Sequence, residues 1–211
     1  MGIRIITKIK NKIKLIISEE GNSFYEYIMR KRLKNNNFTI ICSNCIGGII
    51  YHRLGKEFLS PTINLWMYQT DFFKFAKNLK KYIEKELVFV ETDYDFPVAH
   101  LDDITIYFNH YQNEQEARES WNRRKKRINY DNLFLIMYDR DGITENDICE
   151  FQKIKCKNKI IFTEHDYLKN EYIKKMIPSD NAGGQLYMDV DSYGFRTFEK
   201  QFDYVKWLNT K

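Results

Sequence analysis

Short apolar runs alternate with amphipathic stretches along the chain, and the two kinds of segment predict two kinds of element. Residues 38–42, 87–90, 104–108, 133–138 and 159–162 are runs of four to six mainly apolar or β-branched residues. Their length and composition fit buried strands. Between them lie segments of helical period. A helix is expected from the Cys42–Gly48 turn to about Leu54, with Gly55 at its end. Thr70 is placed to cap a helix whose face carries Phe72, Phe75, Ala76, Leu79 and Ile83. Residues 114–127 read as a further helix. Thr144, with Asp147 three positions on, resembles a capping box opening a helix that ends near Ile154. The last 45 residues show a weaker pattern, closing on a helix or strand over residues 198–208. Strands alternating with helices predict an α/β sheet of about five mostly parallel strands, covered on both faces.

The N-terminal segment differs from the body. Ile6, Ile9, Ile13, Ile16 and Ile17 fall at helical spacing, with Arg4, Lys8, Lys12 and Lys14 largely off that stripe. Such a helix can lie on an anionic membrane or pack on the body, and Ile13, Leu15 and Ile17 also alternate as a strand would. Residues 23–34 read as a second basic helix. The expected organisation is a basic, helical N-terminal segment over 1–34 and one α/β domain over 35–211.

Charge sharpens that division. Of the net +5, residues 1–34 carry nine Lys/Arg against three Asp/Glu, whereas the remainder carries 25 against 26. A balanced body argues against nucleic acid as a partner. With 15 Phe, 15 Tyr and 3 Trp the core has ample volume, and three Pro and nine Gly leave no flexible linker. No apolar run suits a signal peptide or a membrane span, so the expectation is a cytoplasmic protein with reduced thiols, or one peripheral on the inner face of the membrane through its N-terminal segment.

Candidate chemistry follows from the sheet. Residues just past strand C-termini converge on one edge, which singles out Ser43, Asn44 and Cys45, then His110, Asp139 and Asp141, and Glu164 with His165. Ser43 with His165 could supply a nucleophile and base, oriented by Asp139 or Glu164, or Ser43 could simply cap a helix. Backbone N–H groups of Gly47 or Gly48, or the Asn44 amide, could hold an oxyanion. Cys42-Ser43-Asn44-Cys45 has redox spacing, but Cys42 falls within the strand, and Cys149 and Cys156 are not at metal-ligand spacing. Asp139-Arg140-Asp141 is an Asp-x-Asp that could hold Mn or Mg against a nucleotide sugar, or be a solvated turn. Arg124 and Arg127, near Trp121, could clamp phosphates or lie on a solvated basic face. His52 reads as packed or surface, and His100 as a loop residue.

Several blocks together resemble a known family: residues 38–48, Leu54-Gly55, residues 58–65, His110-Tyr111, Trp121-Asn122-Arg123-Arg124, Arg127-Ile128-Asn129 and Asp139-Arg140-Asp141-Gly142. They resemble the bacterial exopolysaccharide-biosynthesis-type family known as domain of unknown function 1919, over about residues 25–208. The resemblance implies a three-layer α/β/α fold and a setting in capsule, exopolysaccharide or lipooligosaccharide assembly, but no established reaction. Its members most often carry Asn where Ser43 stands, which shifts weight to Asn44, Cys45 and the glycines. The Ser-Asn-Cys turn is also similar to the Gly-Asn-Cys turn of a capsule-biosynthesis family that binds coenzyme A.

The expected function is O-acyl transfer from acetyl-coenzyme A to a sugar or lipid-linked sugar. In that scheme Asn44 and the Gly47 and Gly48 N–H groups hold the oxyanion, Cys45 lies among the ligand-binding residues, His110 or His165 is the base, and Arg124 or Arg127 engages phosphates. The alternatives are a metal-dependent glycosyltransferase working through Asp139 and Asp141, and a non-catalytic docking subunit of the assembly machinery.

Overall fold

The computed structural model describes residues 21–139, 142–167, 170–177, 190 and 194–210. The expected helix over 3–17 therefore lies outside the described residues, as do Arg140 and Asp141.

Four strands form a parallel sheet: β1 (Thr39–Cys42), β5 (Leu133–Tyr138), β6 (Asn158–Thr163) and β7 (Ile173–Lys175), in the order β1-β5-β6-β7. Side chains alternate between the two faces of this sheet, and both faces are buried. On one face, Ile40, Cys42, Phe134, Ile136, Ile160 and Phe162 pack with residues of α2 (Ile46–Arg53), α7 (Thr197–Gln201) and α8 (Tyr204–Leu208), joined by Tyr25 and Met29 of a helix over residues 21–32, α1. On the other, Ile41, Leu135, Met137 and Ile161 meet α3 (Gln69–Lys77), α4 (Leu79–Ile83), α5 (Glu114–Lys125) and α6 (Glu145–Lys153). The chain is thus α/β with a parallel sheet between two covering layers.

A second, antiparallel sheet enters that far layer. It comprises β2 (Val88–Val90), β3 (Val98–Leu101) and β4 (Ile104–Tyr107), in order β2-β3-β4. Two of the runs expected in the parallel sheet, residues 87–90 and 104–108, belong here. The hairpin joining β3 to β4 turns at Asp102, whose φ of 60° lies in the left-handed region that Asp tolerates. A buried parallel strand needs a crossover, and two residues cannot supply one.

Local signals set the helix ends. Gly55 has φ 60°, its N–H bonds the His52 carbonyl, and Lys56 N–H bonds the Tyr51 carbonyl, so α2 closes in a Schellman motif. Thr144 and Asp147 form the expected capping box of α6. Helix α3 starts at Gln69 rather than after Thr70, and a break at Asn78 separates α3 from α4 while Phe72, Phe75, Ala76, Leu79 and Ile83 all stay buried.

Candidate functional site

Strand β1 ends at Cys42, and the next three residues bind the junction to its neighbours. Ser43 N–H donates to the Ile136 carbonyl, its Oγ accepts from Tyr138 N–H at 3.1 Å, and its own carbonyl accepts from Met67 N–H. Ser43 is buried, and among the described residues no imidazole bonds its hydroxyl. It fastens β1 to β5 and is not paired with His165, which is exposed beside a different hollow of about 500 Å³, next to Tyr167 and Lys175.

Asn44 Oδ1 accepts from Ile46 N–H at 3.1 Å and from the Cys42 thiol at 3.3 Å. Its Nδ2 is buried without a partner among the described residues, a state that native structures seldom leave unexplained. Burial pushes the Cys42 thiol up to about 12, against the opposing pull of nearby backbone N–H groups including that of Gly47. Burial likewise raises Cys45 to about 11, with Arg196 opposing. Neither is the depressed thiol that redox chemistry needs. Gly47 lies against the strand: a Cβ there would stand 3.1 Å from Cys42 Cβ and 3.3 Å from Ile40 Cγ2.

The outward face of α2 carries Cys45, Ile49 and His52 at i, i+4 and i+7, with Gly48 between them, and it forms one wall of a cavity of about 540 Å³. Phe58, Asn64 and His110 face it from the segments before and after the antiparallel sheet, and Arg53, Gly194 and Arg196 complete it. Among the described residues the lining holds two imidazoles and two guanidinium groups and no carboxylate. Asn64 has φ 61°; Asn accepts that region more readily than most residues, and such strain gathers at functional sites. Arg53 pairs with Glu199 at 2.8 Å and Glu26 at 3.2 Å. Burial opposes its charge, but the bonds and charges of those carboxylates outweigh it and hold its pKa above the usual value.

Arg124 and Arg127 stand behind this wall. Arg124 is buried, donates to Tyr111 Oη, and lies over the Phe58 ring at 5.0 Å. Tyr111 in turn donates to the Ile63 carbonyl at 2.8 Å. Arg127 bonds the Phe58 carbonyl at 3.2 Å and pairs with Glu57 at 2.6 Å. Both brace the loop that presents Phe58 and Asn64, and neither lines the cavity. Asp139 is buried with both carboxylate oxygens engaged: Oδ1 accepts from Gly142 N–H, Oδ2 from Thr163 Oγ1 at 2.6 Å and Tyr167 Oη at 3.0 Å. Among the described residues no group of three or more His, Cys, Asp or Glu is placed to hold a metal.

Of the expected site residues, the cavity thus gathers Cys45, Gly48 and His110, with Asn44 adjacent in sequence. It leaves Ser43 and Asp139 in the sheet edge, and His165 apart. His52, Arg53, Phe58, Asn64 and Arg196 join the site without having been singled out as ligands. For His52 the signal was its helical spacing from Cys45; Arg53 and Arg196 gave none.

Two comparisons with known proteins bear on this chain. Residues 16–209 match the family described as Domain of unknown function (DUF1919). An "Uncharacterized protein" of Haemophilus influenzae is 38% identical over 200 residues, covering 94% of this chain and 97% of the relative. Among the described residues no helix is long and apolar enough to cross a membrane.

Proposed function

We propose, for a chain that belongs to the DUF1919 family, a cytoplasmic transferase that acts on precursors of bacterial surface polysaccharide, by O-acyl transfer from acetyl-coenzyme A to a sugar hydroxyl. One observation carries the reading: a cavity beside the β1–α2 junction whose described lining includes His52, His110, Arg53 and Arg196 and, among the described residues, no carboxylate. Such a lining attracts the phosphates of a donor, and an imidazole is the side chain best suited to take a hydroxyl proton near neutral pH.

In this scheme His110 removes the proton of the acceptor hydroxyl as its oxygen attacks the thioester carbonyl carbon. The tetrahedral oxyanion would be met by the Asn44 amide, whose Nδ2 has no partner among the described residues, and by the N–H of Gly48, which lines the cavity. The C–S bond then breaks, and the departing thiolate takes the proton back from the imidazolium. Arg53 and Arg196, in the same lining, would engage the donor's phosphates. Arg124 and Arg127 act indirectly, by fixing Phe58.

Thermal unfolding in acetyl-coenzyme A, and in a panel of nucleotide sugars with and without Mn, tests this reading. A ligand at 100 times its dissociation constant that binds only the folded chain stabilises it by about 2.7 kcal/mol. Metal-independent stabilisation by acetyl-coenzyme A is the expected result. Stabilisation by a nucleotide sugar only with Mn would replace this reading with glycosyl transfer through Asp139 and Asp141. No shift with any ligand would favour a docking role.

A further inference from the structure

Five aromatic rings gather on the outer side of the antiparallel sheet. Trp66 and Tyr107 stack with centroids 3.9 Å apart and planes within 5°. Tyr68 stands edge-on to both, at 5.1 and 5.5 Å. Tyr94 stands edge-on to Tyr107 at 5.5 Å and stacks on Phe96 at 4.8 Å. These rings are not core. Tyr68 is 45% exposed and Tyr94 48% exposed, and Trp66, Tyr107 and Phe96 are only partly covered. Contiguous apolar surface left open to solvent is where interaction sites are found.

The backbone links the cluster to the cavity. Trp66 pairs with Tyr107 through two hydrogen bonds, N–H to carbonyl, of 2.9 and 3.0 Å. Before α3, Ile63, Leu65 and Met67 are buried, while Asn64, Trp66 and Tyr68 are not. Asn64 lines the cavity, so the aromatic surface starts two residues, roughly 7 Å, from the cavity wall.

The surrounding charge selects the occupant. The loop that carries Tyr94 and Phe96 also carries Glu91, Asp93 and Asp95, all exposed. Single-stranded nucleic acid also stacks on aromatic rings, but it needs a basic groove for its phosphates, and an anionic membrane needs Lys or Arg as well. Carboxylates beside ring faces would repel both. A neutral pyranose fits instead: its C–H faces lie on the electron-rich ring faces, and its hydroxyls donate to carboxylates and amide oxygens.

We propose that Trp66, Tyr68, Tyr94 and Tyr107 form a platform for a chain of neutral pyranose sugars that runs toward the cavity at Asn64. That this chain is the acyl acceptor rests on the function proposed above; that it binds does not.

The test is calorimetric titration of the full chain with cellohexaose, maltohexaose and chitin hexaose, with tryptophan fluorescence as a second readout. At least one sugar is expected to bind, and Tyr68→Ala and Tyr94→Ala, both at exposed positions, are each expected to weaken it about tenfold. Binding by none of the three, or equal binding by both variants, would overturn the platform. A dimer of the free chain in sedimentation that Tyr94→Ala disperses would assign the rings to self-association and overturn it too. The acetyl-coenzyme A shift, measured on the same unaltered full chain as the sugar titrations, separates the two proposals. If that shift persists while sugar binding is absent, only the platform fails; if sugar binds and acetyl-coenzyme A does not, only the donor reading fails.

Discussion

His110 and His165 both follow strands, yet they open on different hollows, and only His110 shares one with His52, Arg53 and Arg196. His110→Ala should lower kcat for acyl transfer by about 10²–10⁴-fold while leaving the acetyl-coenzyme A thermal shift in place. His165→Ala should change neither. Turnover that survives His110→Ala but falls with His52→Ala would move the base one helix away. The cysteines carry a different prediction. Burial raises Cys42 to about 12 and Cys45 to about 11, above the roughly 8.5 of an unfolded thiol. A group whose folded pKa is raised contributes stability that is complete below the unfolded value and lost as pH climbs toward the folded one. The urea midpoint should therefore fall from about pH 8.5 upward, and the Cys42→Ala, Cys45→Ala protein should show a shallower fall between about pH 8.5 and 10. An equally steep fall in that variant would place the alkaline loss elsewhere, Cys156 being the first candidate because burial raises it too.

Helix α2 decides how close the site can come to the sheet, and its two adjacent glycines divide that work. At Gly47 an added methyl would press on Cys42 Cβ and Ile40 Cγ2, atoms fixed in a buried strand. At Gly48 it would meet Ile63 Cγ2 at 3.5 Å and Asn64 Oδ1 at 3.6 Å, ordinary contacts on the cavity side. Ala gains about 1 kcal/mol over Gly in a helix, whereas overpacking costs about 1–3. Gly48→Ala should thus hold or raise stability and perturb ligand binding, while Gly47→Ala should be less stable than Gly48→Ala by about 2 kcal/mol. Equal chemical-denaturation midpoints would contradict this division. At this scale the sequence was legible where a long apolar run or a cap spoke locally: β5, β6, the Gly55 terminus and the Thr144–Asp147 box. It was not legible where tertiary pairing decided. Residues 87–90 read as a buried strand, but Val88 is 61% exposed at the edge of the small sheet. β3 and β7 have four and three residues and are defined by their partners. Because β4 belongs to a separate sheet, His110 reaches the cavity for a reason that strand-end reasoning did not contain.

Across the whole molecule the two ends of the described chain are fastened to each other around α2. Asn209 Oδ1 accepts from the N–H groups of Lys34 and Asn35, Asn35 Nδ2 donates to the Leu208 carbonyl, and Arg32 pairs with Asp203. At the centre Arg53, on α2, reaches Asn22 and Glu26 of α1, the Gly194 carbonyl and Glu199 of α7. The Glu199 side chain is 1% exposed and that of Arg53 12%, so the pair sits where one charge cannot be left alone. Removing one partner of such a pair costs about 3–5 kcal/mol, whereas replacing both with apolar groups of similar size is often neutral. Arg53→Met should therefore destabilise the chain by about 3 kcal/mol or more, and adding Glu199→Leu should restore much of that loss, a coupling that a double-mutant cycle reads directly. The same pair bears on the cavity, because Arg53 lines it with part of its charge already answered by Glu199. Glu199→Gln would keep a hydrogen-bonding partner and remove that answer, so acetyl-coenzyme A should bind more tightly to the Gln protein even as its stability falls. Unchanged donor affinity would confine Arg53 to holding α1, α2 and α7 together and leave the phosphates to Arg196 and the two histidines.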